Sequence, residues 1–170
     1  MIYSSACAYI IRALSRLAML RPDGYVLIQE LCEDTDLPRH FVAKIFQDLV
    51  RQGLLLSAKG RGGGFALPRP PSKIYLAEIV AAVDGPESLD ACVLKLGPCN
   101  DQQPCPQHDQ WEPIRAHLKK FLAETTLQDM SKSLRSKIEA SGQRVVGPKS
   151  PSKPVVVPTQ SGPARPTRRR

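Results

Sequence analysis

Four glycines fall within five positions at Gly60-Arg61-Gly62-Gly63-Gly64, between two short apolar runs at residues 54–57 and 65–67. A helix through this stretch would lose about 1 kcal/mol at each glycine relative to alanine. Two short apolar runs around such a tip form a β-hairpin, since glycine reaches the positive φ of tight turns without steric cost.

Upstream of the hairpin the apolar residues follow helical spacing. Tyr3, Cys7, Ile10, Leu14 and Leu17 predict a helix over about residues 2–20, ended by the turn Arg21-Pro22-Asp23-Gly24. Leu27, Ile28 and Leu31 predict a short helix over 27–34. A tight connection, Thr35-Asp36-Leu37, leads to a helix over 38–52. Pro38 suits its first turn, Phe41, Val42, Ile45, Phe46 and Leu49 form its apolar face, and Gly53 stops it. Downstream, Leu76, Ile79, Val80 and Val83 mark a helix over 75–83. A loop rich in Gly, Pro and Cys spans 85–108. A long helix from Trp111 to Leu122 carries Trp111, Ile114, Leu118, Phe121 and Leu122 on one side, and a short helix from Thr126 runs through Met130 and Leu134. Helix, tight turn, helix, two-stranded ribbon is the order of a winged helix-turn-helix, so the expected fold is mainly α (α+β).

This order sets the expected chemistry. An α-helix fits the major groove of B-DNA, and its outward side chains reach base edges. The helix over 38–52 turns Arg39, His40, Ala43, Lys44, Gln47 and Arg51 away from its apolar face. Lys59 and Arg61 stand at the ribbon tip, where a cation can enter the minor groove. Each basic residue taken alone reads equally as a solvated surface charge. The glycine run is not a phosphate loop, because it lacks the Gly-Lys-Ser/Thr ending and precedes a strand. The expected partner is therefore double-stranded promoter DNA.

Charge supports an anionic partner only in part. The net charge is +8, and seven of those charges lie beyond Ser141, at Arg144, Lys149, Lys153, Arg165, Arg168, Arg169 and Arg170, with no acids among them. That leaves about +1 for residues 1–140. The tail also holds six of the sixteen prolines, and it is expected to be a disordered basic segment over 141–170. Residues 1–73 are expected to form the DNA-binding region, and 74–140 a loop-and-helix region. No stretch is apolar enough to span a bilayer. The first twenty residues are interrupted by Arg12 and Arg16 and do not read as a signal peptide, so a cytoplasmic, nucleoid-associated location without membrane contact is expected. No convergent acid–base or nucleophile set suggests an enzyme.

Three of the five cysteines, Cys92, Cys99 and Cys105, lie in the 85–108 loop, separated by six and five residues, and His108 follows. Thiolates are soft ligands for iron–sulfur clusters or zinc, and imidazole suits both. Structural zinc sites pair ligands two to four residues apart, and only Cys105 and His108 come near that. The wider spacings fit a loop around a larger cluster. Zinc in the loop, or no metal at all, stays open on spacing alone. Cys7 and Cys32 fall in helices and are expected to act as small buried apolar residues.

Together these motifs resemble the Rrf2 family of bacterial regulators, in its branch containing IscR, NsrR and RirA. The resemblance covers about residues 1–135. It rests on Gly53-Leu54, on Gly60-Arg61-Gly62-Gly63-Gly64-Phe65, on Leu76-Ala77-Glu78-Ile79-Val80 with Val83-Asp84-Gly85, and on the three cysteines followed by His108 and Trp111. It implies a homodimer joined through the long C-terminal helix, about residues 109–125. It also implies an iron–sulfur cluster at Cys92, Cys99 and Cys105 and cluster-dependent control of promoters, as repressor or activator. His108 stands where IscR-like members carry a fourth ligand. The NsrR-like alternative, an aspartate in the first helix, is Ala8 here. A [2Fe–2S] cluster is thereby favoured over [4Fe–4S], although the first cysteine spacing is one residue longer than in IscR. Ala43 stands where IscR-like members carry a DNA-reading glutamate, so their operator sequence is not expected to transfer.

Overall fold

A computed structural model describes residues 3–94, 96–97, 99–142 and 155. The basic tail expected to be disordered lies outside the described residues, apart from Ser141, Gly142 and Val155. Helix α1 spans Ser5–Leu20, α2 Ile28–Cys32, α3 Arg39–Arg51, strands β1 Leu56–Ala58 and β2 Gly64–Ala66, α4 Leu76–Asp84, α5 His108–Glu124 and α6 Leu127–Ala140.

Capping explains the starts of two helices. The Ser4 hydroxyl accepts from the Cys7 N–H at 3.0 Å, and the Ser4 N–H donates to the Asp84 carboxylate at 2.8 Å, so α1 begins tied to the end of α4. The first helix therefore starts three residues later than its apolar spacing suggests. At α6, the Thr126 hydroxyl accepts from the Asp129 N–H at 3.2 Å while the Asp129 carboxylate accepts from the Thr126 N–H at 3.0 Å. Those bonds from Thr126 hold the Asp129 carboxyl below the usual carboxylate range. Helix α6 is not short, as expected from sequence, but 14 residues long. It lies along α1, where Arg135 donates to the Met19 carbonyl at 2.8 Å, and that tertiary contact sustains turns beyond the last apolar repeat.

Pro38 occupies the cap position of α3 rather than its first turn. Val42, Phe46 and Leu49 are buried on the inner face of α3, and Ile45 is half-buried. Phe41, expected on that face, is instead 40% exposed and meets Tyr9 edge-on with centroids 6.1 Å apart. The strands sit one or two residues away from their expected bounds. Leu56 pairs with Ala66, Ser57 with Phe65 and Ala58 with Gly64, antiparallel. A reciprocal bridge between Val26 and Phe65, with both hydrogen bonds 2.9 Å long, sets this register, because it joins β2 to the chain before α2.

One core runs through the described chain. Phe46 packs edge-on against Phe65 at 5.1 Å, and Ile10, Leu17, Ile79, Leu122 and Leu127 join the same cluster. Leu122 is completely buried. That removes it from the exposed seam of the long helix, where sequence spacing places it; it points inward with the core instead. Trp111 remains half-buried on the outer side, with Ile114 57% and Phe121 50% exposed.

Candidate DNA interface and thiol loop

Arg39, His40, Lys44, Gln47 and Arg51 are exposed, along the face of α3 opposite Val42, Phe46 and Leu49. Arg51 is ion-paired with Asp48 one turn back, which holds its side chain along the helix. Lys59 and Arg61 are exposed between the last strand pair, Ala58 and Gly64, and a turn closed by Gly63 N–H to the Gly60 carbonyl at 3.0 Å. Seven of the residues expected at DNA thus lie on two surface features, a helix face and a ribbon tip. The helix-turn-helix corner is braced from α1. Arg12 donates to Asp36 at 3.3 Å, and Arg16 to the Glu33 carbonyl at 2.8 Å. The Arg12 guanidinium holds the Asp36 carboxyl below its ordinary range.

The thiol loop folds back on itself before α5. The Cys92 N–H donates to the Gly97 carbonyl, and the Cys99 N–H to the Asp90 carbonyl, each at 3.1 Å. Cys92 is buried, while Cys99 and Cys105 are half-buried. The Gln107 N–H draws the Cys105 thiol down. Desolvation, a hydrogen bond with Cys92 and the charges of Cys92 and Cys99 outweigh it, so the thiol ends above its usual value. Cys99 Sγ lies 3.5 Å from His108 Nδ1. His108 is the first residue of α5 and only 7% exposed, and its N–H donates to the Cys105 carbonyl at 2.9 Å. The loop therefore brings Cys92 against Cys105 and Cys99 against His108. Among the described residues, no three His, Cys, Asp or Glu side chains already surround one metal-sized point.

Two residues in this region carry no signal used in the sequence reading. Asp101 Oδ1 is 2.9 Å from His108 Nε2, an arrangement that directs the other ring nitrogen toward Cys99. Arg115 donates to the Cys99 carbonyl at 3.0 Å. Arg115 follows His108 by seven residues, hence on the same helix face, and that spacing is readable in sequence. Asp101 is an exposed loop aspartate that nothing local distinguishes. With Lys119 paired to Asp90, α5 grips the loop through two cations. Cys99 and His108 line an open groove of about 760 Å³ with Asp101, Glu112 and Arg115.

The remaining cysteines behave differently. Cys7 is fully buried, and burial with help from Asp84 pushes its thiol up to about 12. Cys32 is half-buried and raised by desolvation, against the pull of Arg16 and Arg39.

Known proteins match this arrangement. The family model for Rrf2, described as an iron-dependent transcriptional regulator, matches residues 3–133. A protein of Aquifex aeolicus described as an HTH-type transcriptional regulator is 32% identical over 132 residues, 76% of this chain and 91% of that protein. The HTH-type transcriptional regulator IscR of Xenorhabdus nematophila is 30% identical over 127 residues, 74% of this chain and 76% of its own length. Among solved structures, CymR, the global cysteine regulator of B. subtilis, superposes with a TM-score of 0.66 at 22% identity, over 78% of this chain and 98% of CymR, a likeness of fold. The chain belongs to the Rrf2 family and is a winged-helix transcriptional regulator, not an enzyme.

Proposed function

We propose that this regulator binds promoter DNA as a homodimer and that an iron–sulfur cluster in the 92–108 loop controls that binding. The observation that carries the reading is the gathering of Cys92, Cys99, Cys105 and His108 in one folded loop at the start of α5. Three thiols and one imidazole are a soft donor set suited to a [2Fe–2S] cluster. Those four residues would hold it, and when bound it supplies a centre whose stability responds to oxidants, nitric oxide or iron supply. The chain's own residues prepare the donors. Asp101 fixes the His108 ring, while Arg115 and Lys119 anchor the loop backbone and Asp90 to α5.

Helix α5 leaves Ile114 and Phe121 exposed beside Leu118 and Trp111, at intervals of three and four residues. Such a stripe supports pairing with a second copy. The loop and the pairing helix are continuous in chain, so ordering the loop biases the angle at which two protomers present their α3 helices. Half-sites about one helical turn apart would then be read well in one state only. DNA binding places the protein in the cytoplasm with the nucleoid. No helix among the described residues is long and apolar enough to cross a membrane.

Anaerobic purification with visible absorption and iron and sulfide analysis tests the cluster. A coloured protein with matched iron and sulfide is expected; a colourless protein holding only zinc would contradict it. The wing has its own test. Alanine at both Lys59 and Arg61 should weaken all DNA sequences alike and flatten the slope of log affinity against log salt by about two units. Unchanged binding across a salt series in gel shifts would remove the wing from the interface.

A further inference from the structure

A second cavity, of about 220 Å³, lies between α1, the α2–α3 corner and α6, lined by residues distinct from those of the thiol loop. Its walls are mostly apolar, from Leu37, Met130 and Leu134, and two cations, Arg16 and Lys137, border them. The Arg16 Nη2 is committed to the Glu33 carbonyl at 2.8 Å, but its Nε is buried from solvent and has no hydrogen-bond partner. A buried donor without an acceptor is unfavourable unless something supplies one. The Lys137 side chain has no ion-pair partner among the described residues. The Arg12 guanidinium at the same cavity is already neutralised by Asp36. The site therefore combines an uncompensated positive edge with an apolar interior.

We propose that this cavity binds a small organic carboxylate with an apolar body. The carboxylate accepts from Arg16 Nε and faces Lys137, while the body lies against Leu37, Met130 and Leu134. Arginine suits a carboxylate because its N–H groups fork in the plane of the acceptor oxygens. The volume equals about seven waters' share of the liquid and falls below the roughly 300–1,000 Å³ of sites for drug-sized ligands. The occupant is thus about the size of benzoate or hexanoate. Its carboxylate would sit beside Arg16, which braces the corner before α3, so the ligand would add to the hold of α1 on that corner.

Titration of the full chain with sodium benzoate and sodium hexanoate, followed by calorimetry and by the methyl resonance of Met130, tests this. Saturable binding is expected, with the Met130 signal moving and that of Met19 staying. Met130→Leu assigns the signal. Lys137→Gln, at an exposed position, should weaken binding about tenfold, and Arg16→Gln at least as much if it folds. Benzamide, neutral and of the same shape, should not bind. The proposal is overturned if neither carboxylate saturates, if Lys137→Gln binds as the unaltered chain does, if benzamide binds equally, or if inorganic phosphate competes as well as benzoate, which would mark a simple anion site.

Discussion

Alanine at any one of Cys92, Cys99 or Cys105 is expected to abolish cluster binding and change operator affinity by about tenfold or more, equal to about 1.4 kcal/mol of coupling. The three thiols do not act alone. Cys92 and Cys105 are hydrogen-bonded to each other, and Cys99 leans on His108. Losing one leaves a ligand set with an open edge. The fold should survive each change, because the large core side chains, Phe46, Ile79, Leu122 and Leu127 among them, lie in the other elements. The dimer should survive as well, since Ile114 and Phe121 are separate from the thiols. His108→Ala should do less, leaving a labile or spectroscopically altered cluster on three thiolates. Iron content, visible absorption and light scattering on each variant check these outcomes. Full iron retention in the Cys99 variant would remove that residue from the ligand set.

Gly64→Ala is expected to destabilise the protein by about 3 kcal/mol or more and to loosen the wing. Gly64 has φ +125, which side-chain-bearing residues rarely adopt, and a Cβ there would stand 2.2 Å from the Val26 carbonyl oxygen. That carbonyl accepts from the Phe65 N–H at 2.9 Å, so relief of the clash breaks the bridge that joins the wing to the chain before α2. Phe65, packed on Phe46 of the recognition helix, would be displaced with it. Denaturant unfolding measures the loss of stability, and gel shifts at low temperature measure the effect on DNA binding. Gly53→Ala serves as a comparison. Gly53 also has positive φ, but a Cβ there meets nothing within 4 Å, so its smaller cost reports backbone strain alone. Equal stability of the Gly64 variant and the unaltered chain would refute this account of the wing.

The same glycines show what the sequence carries and where it falls short. The run from Gly60 to Gly64 announced a turn, and the turn is there. Sequence reasoning assigned the glycines to close approach toward DNA. In the structure, Gly64 permits close approach to the chain's own Val26, a contact across 38 residues that no local pattern encodes. Helix α3 was legible because Val42, Phe46 and Leu49 repeat at helical spacing and Gly53 ends them. Phe41 belongs to the same apolar pattern, yet faces outward against Tyr9, since a stripe shows which residues are apolar and not how wide the covering partner is. Leu122 fails similarly. Five apolar residues of α5 suggested one seam, but burial against the core takes Leu122 and leaves Ile114 and Phe121 exposed. At the thiol loop, residue types and spacing pointed to the cysteines and His108. Asp101 was invisible, because its role depends on a loop bend that brings its carboxylate to the His108 ring.

The central claim is that the state of the loop before α5 sets the affinity of α3 for DNA. Anaerobic fluorescence anisotropy of the full chain, cluster-loaded and cluster-free, on one operator selected from genomic fragments tests it most directly, with iron content assayed in the same samples. The account predicts affinities that differ by about tenfold or more between the two states, and a Cys92→Ala variant that follows the cluster-free curve whatever the iron supply. Superimposable curves for loaded and cluster-free protein on that operator would contradict it.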